Sequence, residues 1–126
     1  MKFKPTESEL EILQILWQNG PSNVRFVNDR LNEQREVGYT TTLKIMQIMA
    51  DKNLVTRNTE SRSHIYTAAV PETEARQSLL NKLVDTAFRG SAASLVMQAL
   101  GNHQASVEEL DEIKALIKKM EEDNNR

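Results

Sequence analysis

The stretch Gly38–Tyr66, GYTTTLKIMQIMADKNLVTRNTESRSHIY, constrains the fold more than any other part of the chain. Three consecutive threonines open an apolar-periodic segment that reads as a helix from about Thr40 to Asp51, with Asn53 placed as its stop. Two short β-rich runs follow, Leu54-Val55-Thr56-Arg57 and His64-Ile65-Tyr66-Thr67. Between them lies the turn-forming Asn58-Thr59-Glu60-Ser61-Arg62-Ser63. A helix and then a hairpin, with two more helices ahead of them, is the order of a winged helix. That arrangement lays one helix in a DNA groove and a hairpin against the flanking backbone.

The two leading helices are also legible. Thr6-Glu7-Ser8-Glu9 has the capping-box pattern, a hydroxyl at the cap and a carboxylate three residues on, each satisfying the other's free amide. Leu10, Leu13, Ile15, Leu16 and Trp17 continue near the helical period until Gly20-Pro21 stops them. Val24, Val27 and Leu31 then mark a shorter helix ending near Glu33, and residues 32–38 make a polar connection. Pro71 is the boundary, giving a winged-helix domain over 1–70 and a helical domain over 71–126.

Beyond Pro71 two rows of apolar residues at i, i+4 spacing lie side by side: Ala75, Leu79, Leu83, Ala87 and Leu80, Val84, Phe88. Arg89-Gly90-Ser91 breaks this helix, and Ser91 caps another carrying Leu95, Val96, Ala99 and Leu100 up to Gly101-Asn102. Ser106-Val107-Glu108-Glu109 is a second capping box. It opens a helix with Leu110, Ile113, Leu116, Ile117 and Met120, after which EEDNNR reads as frayed. Three striped helices need somewhere to bury their apolar faces. A second copy of the chain is favoured over folding back onto the first domain. Leu79, Leu83, Phe88, Leu95, Leu100, Leu110, Ile113, Leu116 and Ile117 are the expected dimerisation residues. The fold class is thus mainly α: a winged helix-turn-helix of three helices and a β-hairpin wing, followed by a helical dimerisation tail.

Composition narrows the function. No apolar run approaches the ~18 residues of a membrane span, and no apolar stretch backs the lysines of MKFKP to make a secretory signal. With cysteine absent, disulfides, thiolate zinc sites and thiol redox chemistry are excluded. A cytoplasmic protein without cofactor is expected. The net charge of −2 hides a division: residues 1–70 hold 9 Lys/Arg against 8 Asp/Glu, residues 71–126 hold 7 against 10. His64 and His103 stand in different halves without acidic partners nearby in sequence, so they read as surface histidines rather than metal or catalytic groups. The acidic Glu108, Glu109, Asp111 and Glu112 are explained by the dipole of the helix they open. No phosphate-binding glycine loop is present. An enzyme is not expected.

The candidate functional residues lie on the third helix and the hairpin. Thr40, Lys44, Gln47 and Asp51 share one face, with Thr41 beside its start, while Ile45, Met46 and Met49 face the opposite way. Threonine hydroxyls bond phosphate or base edges, glutamine pairs with adenine, and lysine reaches guanine or phosphate. The bland alternative is an ordinary solvated face with a threonine cap; the helix-helix-helix-hairpin order favours DNA. Arg57 and Arg62 border the hairpin tip, where arginines meet backbone or a narrow minor groove. His64 and Tyr66 suit packing of the wing or a phosphate contact.

From about Thr6 to Met120 the chain resembles the penicillinase repressor and methicillin-resistance repressor family of bacterial winged-helix regulators, which includes copper-responsive repressors. The resemblance rests on Glu9-Leu10-Glu11-Ile12-Leu13 through Leu16-Trp17, Gly38-Tyr39-Thr40-Thr41 and Lys52-Asn53-Leu54-Val55. Arg62 through Tyr66, Phe88-Arg89-Gly90-Ser91 and Ser94-Leu95-Val96 complete it. It implies a homodimer with interlocked tails, binding a palindromic operator and blocking transcription. It places the family's recognition-helix positions on Thr40, Thr41, Leu43 and Lys44, and its wing arginine on Arg62. It also implies a membrane sensor or a protease that acts indirectly, by provoking a cut in the tail. The family's Asn-Phe cleavage step is replaced here by Gln98-Ala99 after Ser94-Leu95-Val96-Met97. The cysteine-rich tail of copper-responsive members is absent. Leu43 and Ile48 stand where relatives carry arginine, so a different operator and fewer phosphate contacts are expected. Two rival readings remain: a winged helix serving as a protein-interaction module without specific DNA binding, and a regulator released by a small ligand.

Overall fold

The computed structural model describes residues 4–60, 62–102 and 104–125. Ser61, expected in the hairpin turn, His103, expected as a surface histidine, and Arg126, the last residue of the stretch expected to fray, lie outside the described residues. The elements run α1 (Glu7–Asn19), α2 (Val24–Asn32), α3 (Tyr39–Asp51), β1 (Val55–Asn58), β2 (Ile65–Ala68), α4 (Glu72–Ala87), α5 (Ala92–Asn102) and α6 (Val107–Asn124). The chain divides into two compact units, Met1–Lys82 and Leu83–Arg126. The division thus falls inside α4, beyond the proline that marks it in the sequence.

In the first unit the cap at Thr6 is a complete box: Glu9 N–H donates to Thr6 Oγ1 at 3.2 Å and Thr6 N–H to Glu9 Oε1 at 2.8 Å. Gly20, at φ 81°, ends α1 in a backbone state that a side chain disfavours. Ile12, Leu13, Val27, Met46, Met49, Leu54 and Tyr66 are almost wholly removed from water and form one core. That core extends through Val70 to Ala75, so the first turn of α4 packs on it, and Trp17 Nε1–H donates to Val70 O at 3.0 Å.

The hairpin lies one residue later at the strand level than its sequence suggests. Asn53 adopts the left-handed conformation (φ 63°), and Leu54 follows as a core plug whose N–H returns to Met49 O. Pairing then runs Val55↔Ala68, Thr56↔Thr67, Arg57↔Tyr66 and Asn58↔Ile65. An isolated bridge between Ser22 and Tyr66, closed by two hydrogen bonds of 3.0 and 2.8 Å, ties the wing to the entrance of α2.

The second unit is held by local rules. The α4 break is made by Arg89 (φ 52°) and Gly90 (φ 82°), with Gly90 N–H closing onto Val84 O at 2.9 Å. Ser91 Oγ accepts from Ser94 N–H to start α5, and Ser106 with Glu109 completes a second capping box at α6. Of the terminal EEDNNR, residues up to Asn124 belong to α6 and Asn125 caps it. Glu, Lys and Met have high helix propensity, and no glycine or proline interrupts the run.

A candidate DNA-reading face on α3 and the wing

A polar latch that hydrophobic periodicity does not reveal joins α2 to the start of α3. Asn28, buried on α2, donates to Thr42 Oγ1 at 2.8 Å and to Val37 O at 3.1 Å. Asn32 adds a reciprocal pair with the Val37 backbone, at 2.8 and 3.1 Å. Thr42 is therefore a structural member of the threonine cluster, fully buried, while Thr40 and Thr41 are exposed. The far end of α3 is fixed by Lys52, whose Nζ meets the buried Glu9 carboxylate at 2.7 Å. Glu9 thus caps α1 and anchors α3 together.

Held this way, α3 presents Thr40, Thr41, Lys44, Gln47, Ile48 and Asp51 to solvent and buries Met46 and Met49, with Ile45 half-buried. The face expected from the spacing is present. Leu43 differs from the other candidates: it is half-buried, packs on the core and lines a cleft of about 250 Å³ with Arg25, Tyr39, Arg62 and His64. Its reach toward a ligand is shorter than that of Lys44. Gly38 at the N-cap supplies no side chain to the first amides of α3, and a helix N-terminus left this way favours an anion. Arg57 on β1 and Arg62 in the turn before β2 are exposed. His64 is exposed, whereas Tyr66 is a core residue.

Charge is sorted across this unit. Arg30 pairs with Glu33, Arg35 with Glu11 and Lys52 with Glu9. The Glu11 carboxylate, by hydrogen bond and by charge, holds the Arg35 guanidinium pKa above its ordinary value. No such partner is found among the described residues for Arg25, Lys44, Arg57 or Arg62. These four lie at the entrance of α2, on the exposed face of α3 and on the wing; among the described residues Lys4, ahead of α1, has no ion pair either.

Of these, Arg25 is not singled out by the sequence, where it looks like one charge on a short amphipathic helix. Its guanidinium lies 5.3 Å from the Tyr39 ring centroid, a cation–π geometry. An aromatic residue beside the N-cap of the third helix is the only sequence signal for it.

The candidate dimerisation residues all lie in α4, α5 and α6, apart from Phe88, which follows α4 directly. Leu79, Leu83, Leu100, Leu110, Leu116 and Ile117 are exposed, and Phe88, Leu95 and Ile113 are half-buried. Neither α5 nor α6 has a buried residue. The Gln98–Ala99 step lies inside α5, in helical conformation. Among the described residues no helix is long and apolar enough to cross a membrane, and no three His, Cys, Asp or Glu side chains are grouped to hold a metal.

Fold and surface together define a winged-helix transcription regulator with a helical appendage. Residues 5–119 match the sequence family described as Penicillinase repressor, and the chain belongs to that family. It is similar to the penicillinase repressor of Bacillus licheniformis, at 23% identity over 121 residues, covering 96% of this chain and 92% of that protein. The solution structure of the DNA binding domain of the repressor BlaI matches with a TM-score of 0.51 at 22% identity. It covers 59% of this chain and 93% of that one. The monomeric form of Bacillus licheniformis BlaI, solved in complex with the blaP half-operator, matches with a TM-score of 0.51 at 19% identity, covering 59% and 90%. Likeness at this level establishes the winged-helix fold for the first unit.

Proposed function

We propose that this chain is a homodimeric transcriptional repressor of the cytoplasm. It binds a palindromic DNA operator, reading base edges with helix 40–51 and bracing the backbone with wing 54–67. The observation that carries this reading is that Lys44, Arg57 and Arg62 stay free of carboxylates while Arg30, Arg35 and Lys52 form ion pairs. Exposed cations without carboxylate partners, on the reading helix and the wing of a protein with net charge −2, suit a polyanion. That a BlaI monomer occupies a half-operator supports a two-protomer reading of a full site.

In this reading Thr40, Thr41, Lys44 and Gln47 enter the major groove, with Leu43 as an apolar neighbour at the groove edge and Arg57 and Arg62 on flanking backbone. The winged-helix domain corresponds to 1–70 and the dimerisation domain to 71–126. Leu79, Leu83, Leu100, Leu110, Leu116 and Ile117 would be covered by the second protomer, which sets the two reading helices about one DNA turn apart, ~34 Å or a multiple. A sensor or protease acting on the tail at Gln98–Ala99 would first have to open α5, because that step is helical.

Selection from random duplexes tests the reading. Enrichment of a two-fold symmetric sequence is the expected result. No enrichment at low salt would instead favour a protein-interaction module, and loss of binding with a small ligand, without chain cleavage, would favour ligand release.

A further inference from the structure

We propose that Arg25, stacked on Tyr39 at the entrance of α2, forms with Arg62 and His64 of the wing a seat for one backbone phosphate of duplex DNA. This rests on the DNA-binding reading of the same surface and adds three residues, Arg25, Tyr39 and His64, to it.

The seat is built by the fold. The Ser22↔Tyr66 bridge clamps the chain just before α2 to β2, which brings Arg25, three residues past Ser22, opposite Arg62 and His64, just ahead of β2. Tyr39, the first residue of α3, closes the cleft between them, and Leu43 and Val24 supply its apolar wall. Cations thus enter the cleft from two segments distant in sequence, and among the described residues no carboxylate lines it. None of the described carboxylates pairs with Arg25 or Arg62.

Three features suit a phosphodiester. The Tyr39 ring holds the Arg25 guanidinium by cation–π contact while leaving its planar fork of donors free, so less side-chain freedom is lost on binding. Asn23 Oδ1 accepts from Phe26 N–H at 2.8 Å, so the side-chain cap is directed to the third amide of α2. The preceding amides of Val24 and Arg25 find no acceptor among the described residues, and they present the positive end of the helix dipole beside the guanidinium. The cleft also touches α3 at Tyr39 and Leu43, one turn or less from Thr40, Thr41 and Lys44. A phosphate held there would fix the register of the reading helix without reporting sequence.

The test uses the full chain and the duplex enriched by selection, with binding measured across salt concentrations. Arg25→Ala is expected to weaken binding on the order of tenfold. It should also flatten the slope of log Kd against log salt by about one unit per protomer, with the enriched sequence unchanged. Tyr39→Leu should weaken binding in the same uniform manner, and Tyr39→Phe, which keeps the ring, should restore it. A methylphosphonate at the one seated phosphate of each half-site should weaken the wild type and have no further effect on Arg25→Ala. Unchanged affinity and salt slope for Arg25→Ala, in a preparation where Lys44→Ala binds more weakly, would overturn the phosphate seat and leave the DNA reading standing. So would a changed base preference. A wild-type chain that enriches no duplex would overturn both.

Discussion

The two units obey the same local rules and end in opposite states. Both open helices with complete capping boxes, at Thr6 and at Ser106. In the first unit the helices then converge on a shared core, with Ile12, Leu13, Val27, Met46 and Met49 removed from water. In the second, α5 and α6 bury nothing, and Met97 and Val107 are 74% and 71% exposed. Cap chemistry and periodicity make helices; they do not supply a core. The first unit has a core of its own, and the second carries exposed apolar surface.

The largest expected effect comes from removing core volume in the first unit. Leu13→Ala should lower unfolding free energy by about 2–5 kcal/mol, read from urea denaturation. The equivalent change on the exposed stripe, Leu116→Ala, should cost little in dilute chain and more as concentration rises, if a second copy covers it. A loss in Leu116→Ala as large as in Leu13→Ala, independent of concentration, would show that the contrast between the units is false.

Next comes assembly. Ile117→Glu places a charge on the stripe of α6, so light scattering should report a monomer if the wild type is the proposed dimer. Operator affinity should then fall on the order of 100-fold, because the second half-site no longer benefits from tethering. A wild-type chain that is monomeric at tens of micromolar would remove the proposed role of the tail.

Smaller again are the reading contacts. Lys44→Ala or Arg62→Ala should weaken operator binding by about 1–3 kcal/mol if they meet bases or desolvated phosphate, with unfolding free energy within about 0.5 kcal/mol of wild type. Binding unaffected by both would detach the site assignment from the fold.

Much of the fold is legible in the sequence alone. The order of three helices and a hairpin, the wide stripes of the tail and the two capping boxes each come from spacing within a few residues, which sequence reports directly. The strand shift at Leu54 is not legible there, because it depends on Asn53 adopting a left-handed backbone and on a pocket ready for Leu54. Nor is the extension of α6 to Asn124, where polar residues hide a run without breakers. Contacts between distant positions are hidden more deeply. Glu9 with Lys52, Asn28 with Thr42, and Arg25 with Tyr39 each join residues whose partner cannot be inferred from local period. The same limit explains why the sequence does not distinguish Thr42 from Thr40 and Thr41. Along a helix, consecutive residues point about 100° apart, but which direction faces a buried asparagine is decided by α2.

The smallest expected effect gives the sharpest comparison, since it makes one chemical change in both units. Thr6→Ala and Ser106→Ala each remove a hydroxyl that accepts from the amide three residues on, at 3.2 and 3.0 Å. Loss of such a cap costs about 1 kcal/mol where the helix is part of the cooperative fold. For Thr6 that condition holds, because α1 contributes Ile12, Leu13 and Leu16 to the core. Thr6→Ala should therefore lower the global unfolding free energy by about that amount at any chain concentration. Glu9 would keep its bond to Lys52 and partly hold the end of the helix. In α6 no residue is buried, so fraying of its first turn in a lone chain would leave the first unit untouched. Ser106→Ala should thus be nearly silent in dilute chain, and should appear as weaker self-association when light scattering is followed through a dilution series. An equal loss from both substitutions at low concentration would mean that α6 already belongs to the same cooperative unit as α1.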